Sequence, residues 1–331
     1  MPPMTRWGFL ATGGIATTVA GDLPLVPGAE ALAVASRDAG RAAAFAERHG
    51  FARSYGSYAD LLADPDVDVV YVATPHGQHR AVARAALEAG KHVLVEKAFT
   101  TTLAGAHELV DLARDRGLFA MEAMWTRFQP TVVALLDALA DGVVGEVRHV
   151  HADLGFPVPE DPAGRFFDPV LGGGALLDMG VYPVSVVRMV MGAAPSEVLA
   201  RGSLTSTGVD AESSLLLAHA DGRTATTLST ILARPARSGT ITGTGGRVET
   251  EGAVHAPDAF VVHRPDEEPV RTALPRTGRG YAHMLEHVQD CLAEGRTESP
   301  LWPLSTTLEV MGVLEAALLQ LGVRMDDDRP L

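Results

Sequence analysis

The stretch of this sequence that most constrains the fold is residues 91–100, KHVLVEKAFT. An apolar run, 93–95, leads directly into Glu96 and Lys97, and a helical pattern resumes only near Leu103. This pattern predicts a short buried strand that ends in a charged pair. Open α/β sheets bind their ligands outside the carboxyl ends of the strands. We therefore expect Glu96 and Lys97 to lie at a ligand site.

The use of lysine singles out the same position. The chain has 25 arginines and only two lysines, Lys91 and Lys97. A lysine in so arginine-rich a chain suggests a task that a guanidinium cannot perform, such as proton exchange by an amine. Lys97 is therefore a candidate catalytic residue. For Lys91 a structural strand-end cation is the simpler interpretation.

A glycine turn near the start predicts a dinucleotide site. Residues 5–16, TRWGFLATGGIA, read as a strand, a turn and the start of a helix. The turn matches the fingerprint Gly-x-Gly-x-x-Gly/Ala except that alanine occupies the first position. A helix N-terminus with glycines before it lets backbone N–H groups approach a pyrophosphate. The predicted cofactor contacts are Ala11, Thr12, Gly13, Gly14, Ile15 and Ala16.

The next strand, residues 30–36, favours NADP over NAD. NAD enzymes place an acidic residue at this strand's end to bind the ribose 2′-hydroxyl. Here the sequence has Ser36 and Arg37, with Arg41 one helical turn later. A hydroxyl and two guanidiniums would bind a 2′-phosphate through charge-assisted hydrogen bonds.

The first 123 residues predict a doubly wound α/β domain. Five strands alternate with helices, which indicates a parallel Rossmann sheet. The third strand, 67–73, is followed by Thr74, His76 and His79, which we expect at the cofactor crevice. The two histidines have no third ligand at metal spacing, so no metal is predicted.

Residues 124–331 predict a second, α+β domain. Several strands alternate polar and apolar residues with few helices between them, which is typical of a large, mostly antiparallel open sheet. The helical region 171–191 can cover one face, and a second copy of the chain could cover the other, so we expect a homodimer. The tail, 326–331, is expected to fray.

Composition disfavours several classes of function. A net charge of −14 disfavours nucleic acid or an anionic membrane as the main partner. The single cysteine, Cys291, excludes an internal disulfide framework and fits a reducing compartment. No apolar run approaches the roughly 18 residues of a membrane span, and the start lacks the apolar core of a signal peptide. The expected location is the cytoplasm.

The second domain adds a proton-transfer candidate. The run 172–183, GGGALLDMGVYP, places Asp178 and Tyr182 four residues apart. On a helix both side chains lie on one face. A cation near a phenol favours the phenolate, which can take a proton from an alcohol. Lys97, Asp178 and Tyr182 are therefore the predicted catalytic set, with the proton donor either Tyr182 or Lys97.

These residues resemble the Gfo/Idh/MocA oxidoreductases, and within them the branch of dimeric dihydrodiol dehydrogenase and bacterial sugar dehydrogenases. The similarity covers nearly the whole chain and includes the runs 74–79, 122–128 and 171–182. Glu96-Lys97-Ala98 matches the family's Glu-Lys-Pro motif without its proline, and Asp178-x-x-x-Tyr182 matches its Asp-x-x-x-His motif. The resemblance implies dimerisation through the second sheet, a carbohydrate-like substrate and further pocket residues: Trp125 and Arg127 at the nicotinamide, and Phe156 and Tyr281 around the substrate.

The sequence thus predicts an NADP-dependent dehydrogenase or reductase. Its substrate would be a secondary alcohol, hemiacetal or carbonyl of a sugar, cyclic polyol or dihydrodiol. One alternative is a non-catalytic cofactor-binding sensor that uses the second sheet to hold a regulatory partner. The other is a redox-neutral glycosidase that retains NAD. The intact Lys97, Asp178 and Tyr182 disfavour the first alternative, and Arg37 and Arg41 disfavour the second.

Overall fold

The computed structural model describes residues 4–327, which divide into two compact units. Unit 1 comprises residues 4–125, 276–307 and 326–327, and unit 2 comprises 126–275 and 308–325. The first change of unit falls close to the predicted domain boundary. The sequence pattern did not show that the chain returns to unit 1 at Arg276.

Unit 1 contains one parallel sheet of six strands. The strands are β1 (Thr5–Leu10), β2 (Ala29–Ala35), β3 (Arg53–Tyr55), β4 (Val69–Val72), β5 (His92–Val95) and β6 (Ala120–Glu122). Their order is β3-β2-β1-β4-β5-β6, and every neighbouring pair is parallel. The predicted Rossmann-type fold is confirmed, with one strand more than the five in the prediction. The direction of winding changes between β1 and β4, which is where such sheets bind ligands.

Helices connect these strands. These helices are α1 (Gly14–Asp22), α2 (Ala39–His49), α3 (Tyr58–Leu62), α4 (His76–Glu88) and α5 (Leu103–Arg116). A further helix of unit 1, α8 (Ala282–Ala293), comes from the later part of the chain. The local sequence explains several of the ends. Asp38, Ser57 and Thr102 accept hydrogen bonds from the first turns of α2, α3 and α5. Gly50 and Gly117 end α2 and α5 in the left-handed conformation.

The returning segment 276–307 completes the core of unit 1. The indole N–H of Trp7 on β1 donates to Gln289 of α8 (3.3 Å). Trp302, 1% exposed, donates its indole N–H to Glu122 at the end of β6 (3.1 Å). Both tryptophans therefore lie in a core built from distant parts of the chain.

Unit 2 contains one sheet of eight strands. They are β7 (Val147–Gly155), β8 (Glu197–Leu204), β9 (Asp210–Ala218), β10 (Thr224–Thr230), β11 (Gly239–Gly243), β12 (Gly246–Ala253), β13 (Ala256–His263) and β14 (Val270–Thr272). Their order is β14-β13-β12-β11-β7-β10-β9-β8. Only β7 and β10 pair in parallel. The predicted large, mostly antiparallel sheet is confirmed.

Helices pack against one face of this sheet. These helices are α6 (Pro130–Ala140) and α7 (Val181–Met191). A third helix, α9 (Leu304–Gln320), is divided between the two units after residue 307. A π-helical turn, Leu176–Gly180, runs directly into α7, and both contact β7 and β10. Within residues 4–327, one helical stretch, 169–191, is long and apolar enough to cross a membrane, but 89% of its apolar window is buried. A buried core helix has the same composition.

Candidate active site

The glycine turn in unit 1 forms an open cradle after β1. Ala11, at the first fingerprint position, has φ 87°, the left-handed conformation that normally selects glycine. Gly13 and Gly14 are exposed, and a Cβ added to either would meet no atom within 4 Å. No side chain caps the N-terminus of α1. Backbone N–H groups and open space at a helix start fit the pyrophosphate of a dinucleotide.

The predicted ribose-binding residues follow β2. Ser36 is buried, whereas Arg37 and Arg41 are exposed. The Asp38 carboxylate accepts from the Arg41 backbone N–H (2.9 Å) and lies 3.5 Å from its guanidinium. The one carboxylate in this short stretch therefore caps α2, and the Arg37 side chain stays in solvent beside it.

Lys97 lies two residues beyond the end of β5, in a segment that we call the Lys97 segment, residues 97–102. The peptide bond between Lys97 and Ala98 is cis. The two histidines predicted at the crevice lie against this segment. A ring nitrogen of His76 is 3.0 Å from the Lys97 carbonyl oxygen. His79, 1% exposed, has one ring nitrogen 2.8 Å from the Ala98 carbonyl oxygen and the other 2.8 Å from the Thr74 carbonyl oxygen.

Two buried acids flank the Lys97 segment. Glu96 accepts from the Tyr71 hydroxyl (2.5 Å). Glu122 accepts from the Phe99 N–H (3.2 Å), from Trp302 and from the Thr307 hydroxyl (3.0 Å). Burial raises the pKa of Glu96 to about 7, against the opposing charge of Lys97. Burial also raises the pKa of Glu122 to about 7, against its three hydrogen bonds.

An aromatic pair lies in the same unit. Trp125 and Tyr281 stack with ring centroids 4.4 Å apart and planes 18° from parallel. The Tyr281 N–H donates to the carboxylate of Asp22 at the end of α1 (2.9 Å). These two predicted pocket residues, 156 positions apart in the sequence, are thus in direct contact.

In unit 2, Asp178 and Tyr182 lie on one continuous helix. Asp178 belongs to the π-helical turn and Tyr182 to the first turn of α7. Pro183 directly follows the π-helical turn and lacks the N–H that would donate to the preceding turn of this continuous helix. The start of the turn is fixed by buried Asp210, which accepts from the Leu176 N–H (2.7 Å). Gly174, at φ 117°, approaches the same carboxylate so closely that no side chain would fit.

Charged and aromatic neighbours surround the two candidates. Arg165 donates to both carboxylate oxygens of buried Asp178, at 3.1 and 3.2 Å, and its guanidinium lies 3.9 Å from the centroid of the Phe166 ring. Phe166 in turn makes an edge contact with Phe156. The centroid of the Tyr182 ring lies 4.8 Å from the centroid of the His255 ring.

Arg127, which was predicted at the nicotinamide, lies in the turn before α6 and is half-buried.

Two family models match most of the chain. The "Oxidoreductase family, NAD-binding Rossmann fold" model of Gfo/Idh/MocA proteins matches residues 5–124. The model of the Gfo/Idh/MocA C-terminal domain matches residues 132–249. This chain belongs to the Gfo/Idh/MocA oxidoreductase family. The resemblance in the sequence motifs is thereby confirmed.

Relatives within the Gfo/Idh/MocA family cover nearly the whole chain. Trans-1,2-dihydrobenzene-1,2-diol dehydrogenase of Xenopus tropicalis is 36% identical over 330 residues, 96% of this chain and 98% of that protein. The enzyme of the same name from Homo sapiens is 35% identical over 332 residues, 98% of this chain and 99% of that protein.

Solved structures show the same fold. The aldose-aldose oxidoreductase from Caulobacter crescentus, complexed with glycerol, has a TM-score of 0.88 at 26% identity and covers 96% of this chain and 98% of its own. A 3-ketoreductase from Actinomadura kijaniata, in complex with NADP, has a TM-score of 0.85 at 29% identity, with the same coverage of both chains.

Some residues around the candidate site had no sequence signal. Arg165 lies in an irregular stretch 13 residues before Asp178, where neither motif nor periodicity singles it out. His255 and Asp210 are equally inconspicuous. Within residues 4–327, no cluster of three or more His, Cys, Asp or Glu side chains could hold a metal ion.

Proposed function

We propose that this protein is an NADP-dependent dehydrogenase or reductase that acts on a CH–OH group, or the matching carbonyl, of a sugar or cyclic diol. The main support is that one sheet edge combines an open dinucleotide cradle after β1 with Lys97 after β5. The relatives named as diol dehydrogenases and the neighbours named as sugar oxidoreductases support this substrate class.

The cofactor proposal rests on Ser36, Arg37 and Arg41. A 2′-phosphate needs positive charge, and Arg37 is exposed at the end of β2. The carboxylate of Asp38 is engaged with Arg41 and with the start of α2. When bound, the nicotinamide cofactor supplies or accepts the hydride. Thr74, His76, His79, Glu96, Trp125 and Arg127 complete the proposed cofactor set.

The protein's own residues would move the proton. In oxidation Tyr182 takes the proton of the substrate hydroxyl, and the charge of Lys97 favours the phenolate form. In reduction the same proton returns to the substrate oxygen. Asp178 holds the network in place, and Phe156 and Tyr281 contribute aromatic surface to the substrate. The alternative, in which Lys97 itself exchanges the proton, is tested below.

A substrate panel tests the proposed activity. Aldoses, inositols, keto-sugars and dihydrodiols are each incubated with NADP or NADPH, and turnover is followed by NADPH absorbance. We expect turnover with at least one member and a preference for NADP over NAD. NADPH binding without turnover of any member would favour a sensor. Substrate cleavage without release of reduced cofactor would favour the glycosidase.

We propose that a second copy of the chain covers the other face of the eight-stranded sheet. Alternate rows of residues across this sheet differ in burial. One row contains the buried Ala200 and Leu215, and the adjacent row contains Leu199 and Leu216, which are paired in register and each 44% exposed. The same row continues through Thr226, which is half-buried. A mass near 70 kDa by light scattering at micromolar concentration would support the dimer, whereas the 34.8 kDa of one chain would exclude it.

We also propose a cytoplasmic location. The single cysteine, Cys291, is a free and buried thiol. Thiols of this kind are typical of reducing compartments.

A further inference from the structure

The last described residue of the chain lies in the core of unit 1, although the tail was expected to fray. Asp327 is 5% exposed. Its carboxylate accepts from the backbone N–H groups of Thr101 and Thr102, each at 3.0 Å, and also from both threonine hydroxyls. Four donors therefore converge on one carboxylate at the far end of the Lys97 segment. Residues 328–331 lie outside the described part.

The surroundings of Asp327 are built to hold it. Arg80 of α4 donates to the Asp327 carbonyl oxygen (3.2 Å) and is itself paired with Glu108 of α5 (2.7 Å). Gly105, in the first turn of α5, leaves room for the carboxylate. A Cβ at that position would run into Asp327 and would lie 3.0 Å from the Arg80 side chain. The approach of the tail thus depends on a glycine more than 220 residues away from it in the sequence.

Asp327 is one of a set of anchors along the Lys97 segment. At the start of the segment, His76 and His79 lie against the carbonyls of Lys97 and Ala98. In the middle, Glu122 accepts from the Phe99 N–H. At the end, Asp327 alone among these anchors binds two consecutive N–H groups. Phe99 and Thr100 between them are fully buried, so a displacement at the end has little room to relax locally.

We propose that Asp327 is a positioning residue for Lys97, whose carboxylate fixes the far end of the Lys97 segment and thereby the place of the ammonium group. This rests on the function proposed above, in which Lys97 touches substrate. Asp327 itself acts through the backbone of Thr101 and Thr102. A displacement of the order of 1 Å at a reacting group lowers the rate by about 100-fold.

Two substitutions disturb the anchor in different ways. Asp327→Asn keeps the size but presents an amide NH₂ to donors that need an acceptor. Gly105→Ala leaves Asp327 intact and displaces it, although alanine is otherwise the better helix former. Asp326→Asn, at the adjacent exposed residue, is the matched control. If Asp327→Asn does not fold, Gly105→Ala and Thr101→Val, which removes one hydroxyl donor, give the same test.

Because the chain has only two lysines, the Lys97 side chain can be followed directly by NMR. Reductive methylation with ¹³C-formaldehyde places NMR labels on Lys91, Lys97 and the N-terminal amine alone, and Lys97→Arg assigns the Lys97 signal. We expect Asp327→Asn and Gly105→Ala to move the Lys97 titration midpoint and to lower kcat by about 10- to 100-fold. NADPH affinity should stay within about threefold in both variants, because the proposed phosphate contacts, at the glycine turn and at Arg37, lie outside the Lys97 segment. Asp326→Asn should match wild type.

The two readouts separate this proposal from the proposed function. A lower Tm with an unchanged Lys97 titration and unchanged kcat would show that Asp327 is only a helix cap, and would overturn the proposal. A shifted titration in a protein that turns over no substrate would uphold the positioning role and refute the enzyme activity. A shifted midpoint in the Asp326→Asn control would also overturn it, since the effect would then not be specific to the buried carboxylate.

Discussion

The two ends of β5 use the same residue type for different purposes. Lys91 precedes the strand, is buried, and donates to the carbonyl oxygens of Asp64 (2.6 Å) and Val67 (2.9 Å). Burial lowers the pKa of Lys91. Lys97 follows the strand at the ligand edge of the sheet, near the buried acids Glu96 and Glu122. The two lysines of the chain therefore differ in their surroundings: Lys91 is bound to buried carbonyl groups, whereas Lys97 lies at the sheet edge where we propose the chemistry.

The largest expected effect is at Lys97. Lys97→Met removes charge and proton together, and we expect kcat to fall about 100- to 10,000-fold. NADPH affinity and Tm should stay close to wild type, which binding titrations and calorimetry check. Wild-type turnover in Lys97→Met would show that Lys97 is only a strand-end charge, like Lys91.

Lys97→Arg distinguishes the two proton schemes. A guanidinium keeps the positive charge but does not exchange a proton near neutral pH. Partial activity is therefore expected if Tyr182 moves the proton. A loss as complete as that of Lys97→Met would assign the proton to Lys97.

Lys91→Met should show the opposite profile. Removal of the amine leaves two buried carbonyl groups without this donor, so we expect the free energy of unfolding to decrease by about 2 to 4 kcal/mol. The kcat of the folded protein should be unchanged at a temperature well below Tm. Urea unfolding and steady-state kinetics on the same preparation test this. A loss of kcat as large as that of Lys97→Met would contradict a purely structural role for Lys91.

Arg37→Ala extends the comparison to cofactor binding at the same sheet edge. A charge-assisted hydrogen bond to the 2′-phosphate contributes about 1.5 to 3 kcal/mol, so NADPH binding should weaken accordingly. NADH binding should hardly change, because NADH lacks that phosphate. Arg48→Ala, at the exposed far end of α2, is the control. Equal losses for both cofactors in fluorescence titrations would contradict the NADP assignment.

The smallest expected effect concerns the acids near Lys97. The ordinary pKa of 4.5 applies to Glu122 in the unfolded chain, and burial raises it to about 7 in the fold. Below pH 4.5 both states are protonated and the full stability is present. Between pH 4.5 and 7 the unfolded state ionises first, so this group lowers the stability by about 1 to 2 kcal/mol from pH 5 to 7. Glu122→Gln should flatten that part of the stability profile, and an unchanged slope would contradict the assignment.

Local pattern was sufficient for most of the fold. Alternating apolar strands and helices predicted the parallel sheet, and polar alternation predicted the antiparallel one, because both patterns repeat within a few residues. The pattern missed β3 since Arg53–Tyr55 is short and not apolar. It also missed the return of residues 276–307 to unit 1, because no composition change marks that return.

The candidate site was predictable only in part, for a related reason. Motifs located the glycine turn, Lys97 and Asp178 because each is a local signature. The contact of Trp125 with Tyr281, and of Asp178 with Arg165, depends on tertiary packing. The tail was expected to fray, because no local pattern marks a buried contact there. The four donors that bind Asp327 lie about 225 residues earlier in the chain.

The return of residues 276–307 to unit 1 has a consequence for synthesis on the ribosome. Trp7 finds its partner only when Gln289 has emerged, and two of the three donors to Glu122 belong to Trp302 and Thr307. These contacts of unit 1 therefore form only after its six strands and most of unit 2 have been translated. A gene fragment cut at codon 125 would encode the sheet without its closing segment, so grafts between relatives should exchange residues 1–125 and 276–307 together.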